Sequence, residues 1–218
     1  MTQVLDRCAR LDEDPRVLRT IGDEDCNLAV WLRPAFADFA PLIAGNPQDL
    51  RFVSGPEGLA ERLTGELAAA GYGGGEDLHR ALAADAAALA RLFCETLALA
   101  RFELRLEVVR TDSCRKFHAD YVTARLITTY VGEGTQWLDG GDAARFAAGA
   151  EPRRINRLAA FDVGLFKGKL ATGTPAIHRS PPIVGTAGGA RLLLVLNPAI
   201  RSIPEEQDLP LPQPGHLA

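Results

Sequence analysis

The sequence predicts an α+β fold, in which helices come first along the chain and a run of short strands follows. Residues 56–100 place Ala and Leu at helical spacing, whereas residues 102–198 tend to alternate and are rich in β-branched side chains. Turns rich in Gly and Pro separate the segments of this second half. Helices that precede a group of strands indicate a β core with helices packed against it, and many short strands favour a sandwich or jelly roll.

The N-terminal half is predicted to supply the helices. The first 25 residues are polar, and we expect them to be loosely held. NLAVWLR, residues 27–33, alternates as a strand does. PAFADFAPLIAG, residues 34–45, begins with Pro and ends with Gly, which is the usual punctuation of a helix. Two further helices are predicted over 56–71 and 78–100, on either side of the flexible break GYGGG.

The C-terminal half is predicted to supply the strands. The candidates share β-branched or aromatic composition and lie at 102–111, 121–138 with a Gly-rich turn at 132–134, 157–170, 176–180 and 191–198. We therefore divide the chain into a mixed helical support region (1–101), a β core (102–200) and a Pro-rich tail (201–218). The first two regions are expected to form a single compact domain, and the tail is expected to be extended or disordered.

Composition excludes several classes of function. A formal net charge of −4 over 218 residues gives no electrostatic reason to expect nucleic acid as a partner. No window approaches the roughly 18 uncharged apolar residues of a membrane span, and the acidic N-terminal stretch does not match a signal peptide. Four cysteines without paired spacing indicate reduced thiols and a cytoplasmic protein. Neither the oligomeric state nor the substrate is assigned by these patterns.

The most informative segment is FHADYVTARLITTY, residues 117–130, which is predicted to be a strand. Residues two apart on a strand point to the same face, about 6.5–7 Å apart along the backbone. His118 and Asp120 are therefore expected to project together and to chelate one divalent metal ion. Thr123 is predicted to lie on this ligand face as well, and Tyr121 to point away.

His178 is the best candidate for a third ligand. Of the other two histidines, His79 belongs to the long predicted helix and His216 to the tail. Two histidines and one carboxylate form a facial triad, which leaves coordination positions open for substrate or oxygen. The alternatives are that both candidate histidines serve structural roles, and that Asp120 caps a turn or pairs with an arginine, either Arg115 or Arg125. Parity along a regular strand places Arg125 on the face opposite Asp120.

Three further residues are candidates for the same site. Arg191 opens an apolar strand, and its guanidinium could bind the carboxylate of a 2-oxo acid in bidentate fashion. Cys114 lies about 13 Å before His118 on a continuous strand, which is too far for a shared metal unless a bulge brings it in. In that case Cys114 would complete a four-ligand zinc site. Arg179, with Ser180, is expected to line the mouth of the pocket.

The order of these motifs resembles the core of the iron(II)/2-oxoglutarate-dependent dioxygenases. The resemblance runs from H-x-D through GEGTQWL and GLFKG to HRSPP and RLLLVL, over roughly residues 102–198. In that family a double-stranded β-helix, or jelly roll, carries H-x-D, a distal histidine and a basic residue on a late strand. The resemblance implies iron(II) bound by the triad and 2-oxoglutarate bound by Arg191. The chain has Leu193 where that family often has Ser or Thr.

The whole chain also resembles an uncharacterised bacterial family, domain of unknown function 1826. The segments CRKFHADYVTARLITTYVGEGTQWL and HRSPP carry this second resemblance, which implies no activity. The first resemblance predicts an iron(II)/2-oxoglutarate-dependent oxygenase that acts on an unknown substrate.

Three alternatives stay open at the level of sequence. The first is a zinc-binding or metal-homeostasis protein without turnover, which predicts a closed four-ligand site that includes Cys114. The second is a cupin-like metalloenzyme that does not use 2-oxoglutarate. The third is a β-barrel binding domain without metal, which predicts that His118 and His178 lie far apart.

Overall fold

The computed structural model of the protein describes residues 3–5, 8–185 and 189–199. This part forms a mixed α/β fold with a large sheet, a small sheet and helices. The strands are β1 (Gln3–Leu5), β2 (Ala9–Asp12), β3 (Leu28–Trp31), β4 (Leu50–Ser54), β5 (Phe102–Val109), β6 (Ala124–Val131), β7 (Gln136–Trp137), β8 (Asn156–Arg157), β9 (Val163–Lys167), β10 (His178–Arg179) and β11 (Arg191–Pro198). The α-helices are α1 (Leu59–Ala69), α2 (Gly75–Leu97) and α3 (Gly140–Ala147), and 3₁₀ helices span Pro15–Gly22 and Ala40–Ile43.

The eight-stranded sheet has the order β1-β2-β3-β9-β6-β11-β5-β4, and the three-stranded sheet has the order β10-β7-β8. Neighbouring strands are antiparallel except for the parallel pair β2 and β3. Strands from the N-terminal region and from residues 102–200 therefore share one sheet.

The two faces of the large sheet carry different chemistry, and the central strand β11 shows this alternation. Leu192 and Leu194 are fully buried in the apolar core that the sheet shares with α1 and α2. Arg191, Leu193 and Val195 point the other way and line a cavity. A smaller apolar cluster on that second face joins the large sheet to the small one. The candidate site lies on this second side.

Helices α1 and α2 confirm the two predicted helices at 56–71 and 78–100, although α2 begins three residues earlier than expected. The buried positions of α2 include Leu82, Ala86, Leu89 and Phe93, whose spacing places them on one stripe facing the core. Small Ala side chains on this stripe allow the helix to lie close to its neighbours. Among the described residues, no helix has the length and apolar character needed to cross a membrane.

The predicted helix over 34–45 is wrong, because the segment contains only the single 3₁₀ turn at Ala40–Ile43. Pro41 lies inside the segment, lacks an N–H group and disfavours the helical conformation of the residue before it. The Asp38 side chain instead accepts a hydrogen bond from the backbone N–H of Ala40, at 2.9 Å. The local turn therefore prevents the helix that the Pro at the start and the Gly at the end of the segment had indicated.

The expectation that the first 25 residues are loosely held is also wrong for those that the structure describes. Strand β2 pairs in parallel with β3. The 3₁₀ helix at Pro15–Gly22 begins at Asp14, whose side chain accepts a hydrogen bond from the backbone N–H of Arg16. Val17, Leu18 and Ile21 are buried in the main core. The sparse apolar residues of a polar segment are therefore enough to fix it on the sheet.

Three other features differ from the sequence predictions. The strand expected to begin at residue 117 begins at Ala124, so the segment that contains the H-x-D motif is mostly irregular. Strand β4 and helix α3 were not predicted, and α3 begins where Asp139 accepts a hydrogen bond from the Asp142 N–H. The prediction for the Pro-rich tail falls outside the described residues.

A buried ionic cluster attaches α2 to the sheet. The Arg33 guanidinium forms two hydrogen bonds with the Asp85 carboxylate, at 2.6 and 2.9 Å. Tyr130 of β6 donates a third hydrogen bond to the same carboxylate, at 2.6 Å. The Arg33 side chain is 8% exposed and that of Asp85 is 13% exposed, so water cannot replace either partner. One carboxylate therefore connects helix α2 to strand β6 and to the segment that contains Arg33.

We expect Asp85→Ala to lower the free energy of unfolding by about 3–5 kcal/mol, because it leaves a buried guanidinium and a buried phenol without their shared acceptor. Denaturation in urea, followed by circular dichroism, measures the change. Glu66→Ala is the matched control, since Glu66 forms an exposed ion pair with Arg62 on α1. Its expected cost is about 0.5 kcal/mol or less. Equal losses in the two variants would contradict the assignment of a structural role to the cluster.

Candidate metal centre

The backbones of His118 and His178 are hydrogen-bonded to each other in both directions. The N–H of His118 donates to the carbonyl of His178 at 3.0 Å, and the N–H of His178 donates back at 2.9 Å. This isolated antiparallel bridge extends the small sheet beyond β10. Residues paired in this way direct their side chains to the same side of a sheet. Their ring centroids accordingly lie 4.8 Å apart, which is contrary to what a binding domain without metal predicts.

Each imidazole is oriented by a backbone carbonyl two residues earlier. Nδ1 of His118 lies 2.9 Å from the carbonyl oxygen of Lys116, and Nδ1 of His178 lies 3.3 Å from that of Ala176. A proton on Nδ1 that is donated to these carbonyls leaves Nε2 with a free lone pair. Metal-binding histidines are commonly held in this tautomer by a carbonyl or carboxylate. Both rings are therefore prepared to bind through Nε2.

Asp120 reaches the same point from a loop and not from a strand. Two backbone hydrogen bonds attach this loop to the segment after β9, from the Lys169 N–H to the Asp120 carbonyl and from the Leu170 N–H to the Val122 carbonyl, at 2.9 and 3.1 Å. Gly168 permits this contact, since a Cβ at that position would lie 2.1 Å from the Val122 oxygen. The close approach of two backbones therefore positions the carboxylate.

The three side chains form a compact donor set. One ligand atom from each of His118, Asp120 and His178 lies within 4.8 Å of the others. Nε2 of His178 is 3.2 Å from Asp120 Oδ2, and Nε2 of His118 is 3.7 Å from Asp120 Oδ1. The His178 and Asp120 side chains are 4% and 9% exposed, whereas that of His118 is 37% exposed. The cluster is thus buried on one side and accessible on the other.

The buried Oδ2 atom of Asp120 indicates a cation at this position. Burial opposes ionisation of Asp120, but His178, Arg125 and His118 lower the pKa of its carboxyl below the ordinary value, so it is ionised at neutral pH. Oδ2 has no hydrogen-bond partner among the described residues. Its contact with His178 Nε2 is a hydrogen bond only if that nitrogen carries a proton, and the tautomer protonated at Nδ1 has a lone pair there instead. A divalent metal ion satisfies the oxygen and both lone pairs, and this donor set suits iron(II) or zinc.

Arg191 is buried without a carboxylate partner among the described residues. It is 1% exposed, and its Nε donates to the Glu133 carbonyl at 2.6 Å. Its other nitrogens donate to hydroxyl oxygens of Thr129 at 3.1 Å, Thr135 at 3.3 Å and Ser180. Burial lowers the pKa of the guanidinium to about 10, so it remains charged. A buried cation with neutral partners is suited to an anionic ligand.

One cavity of about 120 Å³ joins Arg191 to the two histidines. The residues that line it come from β5, β6, β10 and β11 and from the loops beside them. They are Arg105, Glu107, Val109, Ser113, Cys114, His118, Arg125, Ile127, Thr135, His178, Arg179, Ser180, Arg191, Leu193 and Val195. Both predicted histidine ligands and the predicted anion-binding residue therefore lie around one space, although nothing in their spacing along the chain requires it.

The three additional candidates take different positions. Cys114 is exposed and lines the cavity, but it is not part of the donor cluster. Arg179 also lines the cavity, where its Nε donates to Gln136 at 2.7 Å and its guanidinium lies 4.2 Å from the Phe117 ring centre. Thr123 is exposed and does not line the cavity, which corrects the prediction that it shares the ligand face. Its step along the chain from Asp120 is odd, and the loop follows no strand parity.

Sequence reasoning placed Arg125 on the face opposite Asp120, and this is wrong. Its Nη1 lies 2.5 Å from Asp120 Oδ1, and the side chain lines the cavity. Strand parity fails because residues between Asp120 and Ala124 are not in a strand. The pairing itself was among the alternatives considered for Asp120. The hydrogen bonds from Arg191 to hydroxyl groups were not predicted, although Ser180 was expected to line the pocket and does so.

His79 has a structural role. Its ring is buried, and Nε2 lies 3.1 Å from the Tyr72 carbonyl and 2.9 Å from the Gly73 carbonyl. His216 falls outside the described residues.

We expect Gly168→Ala to weaken metal binding by about 10–100-fold, the range typical when support around a metal ligand is lost. The added methyl group would displace the Val122 backbone and with it the loop that carries Asp120. Calorimetric titration with zinc measures the affinity. Gly173→Ala is the matched control, since a Cβ there meets nothing within 4 Å. Wild-type zinc affinity in the Gly168 variant would show that this contact does not position Asp120.

Several solved structures, two dioxygenases among them, match part or most of this chain at low TM-score. Dioxygenase for auxin oxidation 1 from Arabidopsis thaliana, in complex with 2-oxoglutarate, matches with 10% identity and a TM-score of 0.46, over 88% of this chain and 91% of that chain. The corresponding rice dioxygenase matches with 14% identity and a TM-score of 0.38, over 74% and 61%. A full-length Neurospora crassa protein in complex with alpha-KG matches with 14% identity and a TM-score of 0.29, over 44% and 32%. Similarity at this level assigns no activity to the chain.

Sequence comparison identifies the family. No curated protein matches the chain. A family model described as "Protein of unknown function (DUF1826)" matches residues 12–197, which is most of the sequence. The matched range includes the donor cluster and Arg191. The chain therefore belongs to the DUF1826 family.

Proposed function

We propose that the protein is a metal-dependent oxygenase of the iron(II)/2-oxoglutarate type, which oxidises a substrate bound at the mouth of the cavity. The observation that carries this proposal is one cavity lined by both histidines of a two-histidine, one-carboxylate donor set and by a buried arginine without a carboxylate partner in the described part of the chain. A facial triad leaves coordination positions open, and a 2-oxo acid needs a second, cationic contact for its distal carboxylate.

A double-stranded β-helix is the core we propose for this activity. The large sheet and the small sheet share an apolar cluster that includes Phe166 and Ile127 from the large sheet and Trp137 from the small one. The His118 bridge extends the small sheet at the edge of the cavity. This arrangement of two sheets supports a jelly roll, in which the site lies between the sheets.

Iron(II) is the ion we propose for the donor cluster. Two imidazole nitrogens and one carboxylate oxygen are the donors of non-haem iron oxygenases, and zinc accepts the same donors. When bound, iron(II) would supply the oxidising chemistry together with 2-oxoglutarate and molecular oxygen, which is the oxidant. The contribution of the chain is to hold three donors on one side of the ion. Because Cys114 is outside the cluster, the opposite side is left for ligands.

Arg191 is the residue we propose for 2-oxoglutarate binding. A guanidinium binds a carboxylate through two parallel hydrogen bonds. Hydroxyls of Thr129 and Ser180 already hold the Arg191 guanidinium in place, and either could rotate to donate to a carboxylate. They could thus replace the hydroxyl that dioxygenases often carry two residues after the arginine, where this chain has Leu193. The departure from the family pattern is then compensated by one residue of β6 and by the residue that follows β10.

The walls of the cavity limit access of water to the same space. Ile127, Leu193 and Val195 contribute apolar side chains, and His178 and Arg191 are 3% and 1% exposed. Exclusion of water strengthens the interaction of Arg191 with an anion and protects reactive species from side reactions. The exposed edge of His118 is the side from which a substrate could approach.

Zinc handling without turnover is the second candidate, because Cys114 lines the same cavity as the donor cluster. A shift of the Cys114 loop toward the cluster would close the site with a fourth ligand. The two functions differ in their dependence on this thiol. A cupin-like metalloenzyme would share the donors but would not require Arg191.

Anaerobic addition of iron(II) and 2-oxoglutarate to the metal-free protein is expected to produce the visible charge-transfer band of the chelate. His178→Ala should abolish the band because it removes a buried donor. Arg191→Ala should raise the 2-oxoglutarate concentration needed for half-maximal absorbance, and Arg191→Lys should raise it less. Arg62→Ala, at an exposed position on α1, is the control and should match the wild type. Absence of the band in the wild type would refute the use of 2-oxoglutarate.

Cys114→Ala is expected to leave zinc affinity unchanged, because the thiol is outside the donor cluster. Competition with a chromophoric chelator measures the affinity, and Asp120→Asn is the comparison variant that should weaken it. A large loss of zinc affinity in Cys114→Ala, without a charge-transfer band in the wild type, would favour zinc handling over oxygenase activity.

A further inference from the structure

The two oxygens of the Asp120 carboxylate have different surroundings. Oδ1 accepts a hydrogen bond from Arg125 Nη1 at 2.5 Å. Oδ2 has no hydrogen-bond partner among the described residues and lies 3.2 Å from Nε2 of His178. One oxygen is therefore neutralised by a guanidinium, while the other faces a nitrogen that has a lone pair to share.

Arg125 is itself fixed by a chain of hydrogen bonds across the sheet. Its Nε donates to Oδ1 of Asn197 on β11, at 2.7 Å. The Asn197 amide then donates to Glu103 on β5 at 3.1 Å. Glu103 accepts a further hydrogen bond from Arg51 on β4, at 2.9 Å. Four neighbouring strands thus contribute to the position of one guanidinium, whose side chain is 19% exposed.

The arrangement differs from an ordinary surface ion pair. Asp120 is 9% exposed, and its partner has a second anchor that prevents the guanidinium from following the carboxylate if the carboxylate moves. Arg105 offers a contrast in the same cavity, since its guanidinium pairs with Glu107, which is not part of the donor cluster. Only one of these two cavity-lining arginines is therefore placed to act on a metal ligand.

We propose that Arg125 is a positioning residue of the metal centre, which retains Oδ1 so that Asp120 binds the ion through Oδ2 alone. This inference rests on the metal site of the proposed function. A carboxylate can bind a metal through one oxygen or through both. Binding through both would occupy one further coordination position, which an oxygenase needs for its ligands. Arg125 would thus preserve an open position as well as orient a donor.

Cobalt(II) is a suitable probe, because its visible absorption spectrum responds to the number and geometry of its ligands. Arg125→Gln is expected to change the spectrum of the bound ion, as Oδ1 becomes free to coordinate. It should also weaken cobalt affinity by about 10–100-fold, as is typical when a partner of a metal ligand is lost. Arg125→Lys keeps the charge and should recover part of the affinity. Arg62→Gln removes a positive charge from an exposed position on α1 and should match the wild type.

Asn197→Ala provides a second route to the same result if Arg125→Gln does not fold. It removes the anchor of Arg125 Nε and leaves the guanidinium present, so a smaller spectral change in the same direction is expected. A wild-type cobalt spectrum and affinity in Arg125→Gln would overturn the inference. If Arg125→Gln does not fold, a wild-type cobalt spectrum and affinity in Asn197→Ala would overturn the inference about Arg125.

Asp120→Asn distinguishes failure of the metal site from failure of the role proposed for Arg125. If the wild type does not bind cobalt, or if Asp120→Asn binds it equally well, the metal site of the proposed function fails. If Asp120→Asn loses the ion while the Arg125 variants keep the wild-type spectrum and affinity, the metal site stands and the inference about Arg125 fails. Thermal unfolding of each metal-free variant shows whether a loss of affinity reflects a loss of folding.

Discussion

The reciprocal pair of backbone hydrogen bonds between His118 and His178 is the constraint on which the site depends. These bonds set the separation of two side chains that are far apart in sequence, and they do so without any contribution from the imidazoles. The rings are then free to use one nitrogen on a carbonyl and the other on a metal ion. Asp120 is added by a separate backbone contact, at Gly168. The main chain therefore brings the three donors together, and the Arg125 side chain contacts the Asp120 carboxylate.

The two faces of the large sheet have opposite effects on stability. One face stabilises the fold, and the other carries the buried charges of the site. On one face, leucines of β5, β6 and β11 pack with α1 and α2 in the main apolar core. On the other face, the same strands carry Arg125 and Arg191, two largely buried cations that are unfavourable unless hydrogen bonds hold them. Alternation along a strand makes this possible, since each strand contributes to both faces. Burial on the helical side stabilises a sheet whose other side is specialised for polar ligands.

The sequence was sufficient to predict those parts of the fold and site that depend on local pattern. The long helices and strand β5 have clear periodicity, β11 is a continuous apolar run, and the residues of the donor cluster were identified from residue type and order. The contact between Arg125 and Asp120 could not be predicted, because it depends on where a strand begins and on a loop held by a distant glycine. The same holds for the hydroxyls around Arg191, which come from three parts of the chain.

The backbone bridge also connects ligand binding to local stability. The segment between β5 and β6 carries two of the three donors, and its described strand-type pairing is the single bridge to His178. An ion shared between His118, Asp120 and His178 would act as a cross-link across this junction, and ligands that bind only the folded form stabilise it in proportion to their free concentration. Metal supply would then determine how often this segment opens to solvent and to proteases, so that the lifetime of the protein would follow the availability of its ion.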